Sequence, residues 1–243
     1  MRLLFVCLST MLLVAGCASK RNNEAPVSTG TRVEWFGHLC LRVTTPIGTQ
    51  ILIDPFRPGS TPYSLPSSMN PDVILISRET PDCTNTAISD GTPSIYRGSV
   101  AIGPNNAAGV RIVGTPIFPA VDGNAMNSLG MNLVYSWNSG GLRFCHPGVL
   151  NRGLAPSEVQ QIGRVDVLFL PIDAPYGQSH AELNEIVAQL RPRVVVPIAF
   201  TSGSVNAWAS SYTDVRHLPG RSFVIRPDML PNPPNPTVLI FGD

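Results

Sequence analysis

Apolar residues along this chain fall mainly into short runs separated by turn-forming residues, the pattern of strands rather than long helices. Residues 32–36, 39–45 and 50–54 predict three consecutive strands, with Pro46-Ile47-Gly48 as the turn between the last two. Asp72-Val73-Ile74-Leu75-Ile76-Ser77 is apolar without alternation, as a strand buried on both faces requires. Further strands are predicted over 110–113, 132–137, 142–145, 165–170, 194–198 and 237–241, with Ser139-Gly140-Gly141 as a hairpin turn. Helices are fewer. Ser179 and Glu182 have capping-box spacing, and Leu183, Ile186, Val187 and Leu190 then share one helical face until Pro192 stops it. A shorter helix is expected from Pro156 to about Ile162. Helix and buried strand alternate in the second half, which predicts helices layered outside a sheet. Trp35 reads as core, whereas Trp208, in a Ser/Ala-rich stretch, reads as a candidate for exposure.

The start of the chain has a different pattern. Arg2, an apolar run over 3–14 and the small pair Ala15-Gly16 make the three parts of an export signal. Leu12-Leu13-Val14-Ala15-Gly16-Cys17 resembles the bacterial lipobox, which implies cleavage before Cys17, lipid on its thiol and acylation of its amine. The run falls short of the roughly 20 residues that cross a bilayer. Several acyl chains would hold the protein firmly where one would not. Ala18 after the cysteine implies, by resemblance to enterobacterial sorting, the outer membrane and its periplasmic face. Residues 19–30 are polar and aperiodic, a tether spanning on the order of 20 Å if coil-like. The expected division is signal peptide 1–16, lipidated cysteine and tether 17–30, and one domain over 31–243.

Composition narrows the classes. Apolar residues make 43% and charged ones only 14%, which excludes a disordered chain. A net charge of +1 leaves no electrostatic footprint for nucleic acid. Cys40, Cys83 and Cys145 lie in the folded part, an odd count that allows at most one internal disulfide. No Gly-x-Ser-x-Gly elbow, phosphate-binding loop or dinucleotide glycine pattern is present. His180 and His217 read as solvated, and Ser179 as a helix cap rather than a nucleophile.

Several segments carry a family likeness. Val33-Glu34-Trp35-Phe36-Gly37-His38, Ile51-Leu52-Ile53-Asp54-Pro55-Phe56 and Pro71-Asp72-Val73-Ile74-Leu75-Ile76-Ser77 resemble the opening of metallo-β-lactamase-fold hydrolases. Asp166-Val167-Leu168-Phe169-Leu170-Pro171-Ile172 and Arg191-Pro192-Arg193-Val194-Val195-Val196-Pro197 resemble the family's late strands. The similar branch includes ascorbate-lactonase-like and N-acyl-phosphatidylethanolamine phospholipase-D-like proteins. The resemblance implies an α/β fold, a four-layer αβ/βα sandwich with any site where strand ends meet. It also implies two metal ions that activate a bridging water and polarise a carbonyl or phosphoryl group.

The family's ligands are mostly missing. His-x-His-x-Asp-His should follow the 72–77 strand, where this chain has Arg78-Glu79-Thr80-Pro81-Asp82-Cys83. Arg78 and Thr80 replace the leading histidines, Asp82 matches, and Cys83 stands in a histidine's place. The later positions fall at Pro119, Val149 and Ala199. A fixed positive charge on Arg78 would repel a dication there. The expectation is therefore no dinuclear site and no resident cofactor. One alternative is a single zinc on Asp82, Cys83 and His146, and another use of the thiols is a Cys83–Cys145 disulfide across the rim. His38 and Asp54 match early family positions and have either a structural or a chemical role.

Three functions follow as expectations. The first is an anchored lipoprotein that binds a small ligand, a lipid or an envelope protein without catalysis. The second is a hydrolase of lactones, esters or phosphodiesters with a reduced site, and the third a structural envelope lipoprotein. Fold likeness does not choose among them.

Overall fold

Alternation in the first strand sets the frame. In β1 (Thr31–Gly37), Thr31, Val33, Trp35 and Gly37 are buried while the residues between them are not, so one face seeks a core. The computed structural model describes residues 29–118, 130–173, 178–232 and 234–242. β1 pairs antiparallel with β2 (Cys40–Thr44), and β2 with β3 (Gln50–Ile53). β4 (Val73–Leu75) and β5 (Ser94–Tyr96) add in parallel, and β13 (Ser222–Ile225) closes the other side of β1.

The second sheet begins as an antiparallel meander of β6 (Gly103–Ala107), β7 (Val110–Ile117), β8 (Asn132–Ser139) and β9 (Leu142–His146). It continues in parallel through β10 (Val167–Pro171), β11 (Val194–Ile198), β14 (Thr237–Ile240) and β12 (Val215–His217). β10 and β11 are buried at every residue because the sheet is covered on both faces. One core fills the space between the sheets, where Trp137, Phe144 and Phe169 stack with ring centroids 5.7 and 6.2 Å apart. The other lies under α1 (Pro156–Ile162), α2 (His180–Leu190) and α3 (Ser202–Ala209). The α/β sandwich expected from the sequence is the observed architecture.

Hydrogen bonds stitch the two sheets together at one end. Leu133 N donates to Ser77 O at 2.9 Å, and Ala199 N to His38 O at 3.0 Å. The Tyr135 hydroxyl lies 3.0 Å from Ile76 O and 2.8 Å from Tyr96 O. At the opposite end the hydroxyls of Thr31 and Ser139 share a bond of 2.7 Å.

Ser179 caps α2 as expected, accepting from Glu182 N, and Arg191 ends that helix in the left-handed region at φ 47°. Trp208 is a correction. It is 1% exposed, on the buried face of α3, with its Nε1 donating to Asn184 Oδ1 of α2 at 3.0 Å. His217 is exposed as expected and lies at the end of β12. Gly30, placed at the end of the predicted tether, is buried: a Cβ there would lie 2.6 Å from Arg226 Cγ. The export signal, Cys17 and Ala18, together with Pro119, lie outside the described residues. Among the described residues, no helix is long and apolar enough to cross a membrane.

Candidate functional site

The stitched end is also where the notable polar residues gather. β1 finishes at Gly37, whose φ is 104° and whose position a Cβ would fill to within 2.2 Å of the Tyr63 ring. Only glycine fits that approach. His38 follows at φ 48°, its carbonyl held by Trp35 Nε1 at 2.9 Å and by the Ala199 amide. So fixed, the His38 ring brings Nε2 to 2.9 Å from Asp82 Oδ2. The same oxygen accepts from Arg78 Nη2 at 2.9 Å. The Arg78 side chain is 2% exposed, while those of His38 and Asp82 are each 17% exposed. Burial alone would raise the Asp82 carboxyl. The bond to His38 and the charge of Arg78 overcome that and hold it well below the usual carboxylate range.

A second cluster lies deeper. Asp54, at φ 46° and 0% exposed, accepts from Ser77 N at 2.7 Å and from Ser77 Oγ at 2.6 Å. His146 is equally buried; its Nδ1 accepts from Gly148 N and its Nε2 donates to Leu39 O, both at 3.2 Å. These partners select the neutral tautomer with its proton on Nε2. His146 Nδ1 lies 3.8 Å from Asp54 Oδ2. Burial pushes Asp54 up to about 7 against the bonds from Ser77, and pushes His146 down to about 4.

The remaining positions have structural occupations. Val149 N donates to Asn132 Oδ1 at 3.0 Å, in a turn where a Cβ on Gly148 would meet that oxygen at 2.2 Å. Thr80 offers its carbonyl to Cys83 N and to Thr84 Oγ1, each at 2.9 Å. Cys40, Cys83 and Cys145 are free and buried, so a Cys83–Cys145 disulfide is excluded. The reason is strand alternation: Cys145 faces the helix layer with Ile117 and Leu168, whereas Cys83 packs between the sheets. Burial pushes the Cys145 thiol up to about 12 and the other two well above the ordinary range.

Sequence reasoning missed an aromatic wall beside His38. The Trp35 ring stacks on Phe200 at 4.9 Å and meets Tyr63 at 5.8 Å, and the Arg221 guanidinium covers both Trp35 and Tyr63. Tyr63, in a loop, and Arg221 belong to no sequence pattern. They join the site only through tertiary folding.

Residues 32–199 match the beta-lactamase superfamily domain. The chain belongs to this superfamily. It is similar to a UPF0173 metal-dependent hydrolase of Thermococcus onnurineus, 24% identical over 70% of this chain and 85% of the relative. Among solved structures it resembles a candidate Zn-dependent hydrolase of the metallo-beta-lactamase superfamily from Thermotoga maritima. The TM-score is 0.68 at 22% identity, covering 86% of this chain and 97% of that one. The metallo hydrolase Igni18 of Ignicoccus hospitalis gives a TM-score of 0.53 at 21% identity, covering 74% and 89%.

These superfamily relatives are metal-dependent by name, so the fit of a metal to this member matters. The residues do not fit one. At the first ligand position stands a guanidinium, bonded to the one carboxylate that matches the motif. Both ring nitrogens of His146 are engaged with backbone, so it is not offered to an ion. Among the described residues, no group of three or more His, Cys, Asp or Glu side chains is placed to hold a metal. The mononuclear Asp82, Cys83 and His146 arrangement is therefore not assembled.

Proposed function

We propose that this superfamily member is a metal-free binding protein of the cell envelope, exported and tethered to a membrane through lipid on Cys17. One observation carries the metal-free part: Arg78 Nη2 lies 2.9 Å from Asp82 Oδ2. The guanidinium supplies there the positive charge that a cation would otherwise supply, and its charge is permanent. Site residues turned to one another and to backbone suit a rigid scaffold that binds a small ligand or a partner protein. The lipobox-like segment before Cys17 supports anchoring, and Ala18 supports the outer membrane.

Metal analysis of the purified full chain tests the first part: less than a tenth of an equivalent of zinc or iron is expected, and a stoichiometric, tightly held ion would sink the proposal. Cys17→Ser tests the second, and is expected to move the protein from the membrane fraction to the soluble one.

A separate observation favours a second reading. His38 Nε2 and Asp82 Oδ2 are paired at 2.9 Å with both side chains partly accessible, which is how a general base and its orienting carboxylate are arranged. In that reading His38 takes a proton from water attacking an ester or lactone. Chelator-resistant hydrolysis abolished by His38→Asn would support it, and a screen of such substrates without turnover would end it.

A further inference from the structure

Away from the stitched end, the edges of the two sheets part. β13 closes one sheet and β12 the other, and between them runs a crevice of about 300 Å³ walled by Leu218, Phe223, Ile225, Met229 and Leu239. Pro231 borders it and also borders a wider groove, about 560 Å³, flanked by Arg191 and Arg193. Neither arginine is in an ion pair with a described residue. Arg193 gives its guanidinium to the carbonyls of Leu230 and Pro231, and Arg191 is exposed. An apolar slot whose lining Arg216 is neutralised by Asp214, beside two guanidinium groups not paired with a carboxylate, matches a molecule with one hydrocarbon chain and one anionic head.

The course of the chain brings such a molecule near. A Cβ on Gly30 would lie 2.8 Å from Ile225 O, and Thr31 pairs with Ile225, a wall residue. Gly30, the residue next to the start of β1, therefore lies beside this crevice. In a protein tethered through Cys17, the opening would lie within reach of the bilayer surface.

We infer that the crevice between β13 and the β12–β14 edge binds the acyl chain of a single-chain anionic amphiphile, a fatty acid or a lysophospholipid, with Arg191 and Arg193 holding the head. The inference is independent of the metal-free reading and uses the anchoring reading only for access to lipid. Binding is therefore measured on the full chain carrying Cys17→Ser, so that failure of anchoring and failure of the site are separate results.

The experiment is titration calorimetry with palmitate, with lysophosphatidylglycerol and with uncharged hexadecanol. Saturable binding of one palmitate per chain is expected, weakened about tenfold by Leu239→Trp, which fills the slot. Arg191→Gly is expected to weaken it by a similar factor while leaving thermal stability unchanged or raised, since glycine suits the left-handed backbone there. Hexadecanol should bind more weakly than palmitate and be indifferent to Arg191→Gly. Tighter binding of lysophosphatidylglycerol than of palmitate would identify the phospholipid as the source, and the reverse order the free fatty acid. No saturable binding of either, or binding unchanged by both substitutions, overturns the inference.

Discussion

The two polar clusters at the rim solve the same problem in opposite ways. Asp54, Ser77 and His146 are buried to 1% exposure or less, and there charge is suppressed: Asp54 is pushed up to about 7 and His146 down to about 4. His38 and Asp82 lie nearer solvent with Arg78 beneath them, and there charge is kept, with Asp82 held ionised beside a guanidinium. Depth alone does not separate them, since Arg78 is itself 2% exposed. The difference is a cation that cannot lose its proton. Bonded directly to Asp82, that cation keeps the carboxylate charged; its charge also reaches Asp54, but there burial outweighs it together with the bonds from Ser77.

The contrast can be broken most forcefully at Arg78. Arg78→Ala leaves Asp82 without its cation and is expected to cost about 3 kcal/mol in denaturant unfolding. Arg78→Lys should recover only part of that, because an ammonium cannot reproduce the planar fork. Asp54→Ala comes next, at about 2 kcal/mol, since it leaves two buried donors of Ser77 without their acceptor. An Asp54→Ala protein as stable as the parent would show that the deep cluster contributes nothing.

Asp82→Asn should cost less, about 1 kcal/mol near neutral pH, because both of its partners remain and the site is partly wet. Its clearer sign is in acid. The Asp82 pKa is depressed by folding, so its stabilisation is present above the ordinary carboxylate pKa and lost as pH falls below it. The variant should therefore be less sensitive to acid below about pH 4.

The smallest effect sharpens the comparison within the deep cluster. Asp54, raised in the fold, stabilises at low pH and loses that contribution as pH rises toward 7. His146, lowered in the fold, stabilises at neutral pH and loses that contribution as pH falls from 6.5 toward 4. The two slopes oppose each other, so stability should vary little across that window. Asp54→Asn keeps a residue that tolerates positive φ and removes one slope. Its unfolding free energy should then fall as pH drops from 6.5 to 4, measured by denaturant titration at several pH values.

Much of the frame was legible because strand burial writes itself into pattern. Val194-Val195-Val196-Pro197-Ile198 is a strand by composition, and the α2 helix by capping and spacing. β6, Gly103-Pro104-Asn105-Asn106-Ala107, was not legible, because an edge strand of small and polar residues has no apolar period and exists only through pairing with β7. β13 depends likewise on β1, nearly two hundred residues earlier. At the site, the motif positions exposed the missing ligands, but nothing in the order of residues said that Arg78 and His38 would meet on one oxygen of Asp82. Alternation sends Cys145 to the face opposite Leu142 and Phe144, but only the fold shows that Cys83 packs on the side of those two, away from Cys145.

Ala199 has a mechanical consequence. It sits at φ 48°, where an alanine is strained by about 1–2 kcal/mol. From there its amide reaches His38 O on the facing sheet, and its carbonyl accepts from Asp173 N at 2.7 Å. The residue works as a clasp, closed under tension, and Leu133 and Tyr135 add fastenings on the same side. A sandwich clasped at one end opens like a book from the other. Its first partial unfolding should therefore free the Thr31–Ser139 end while the Ala199 amide stays among the slowest to exchange with solvent.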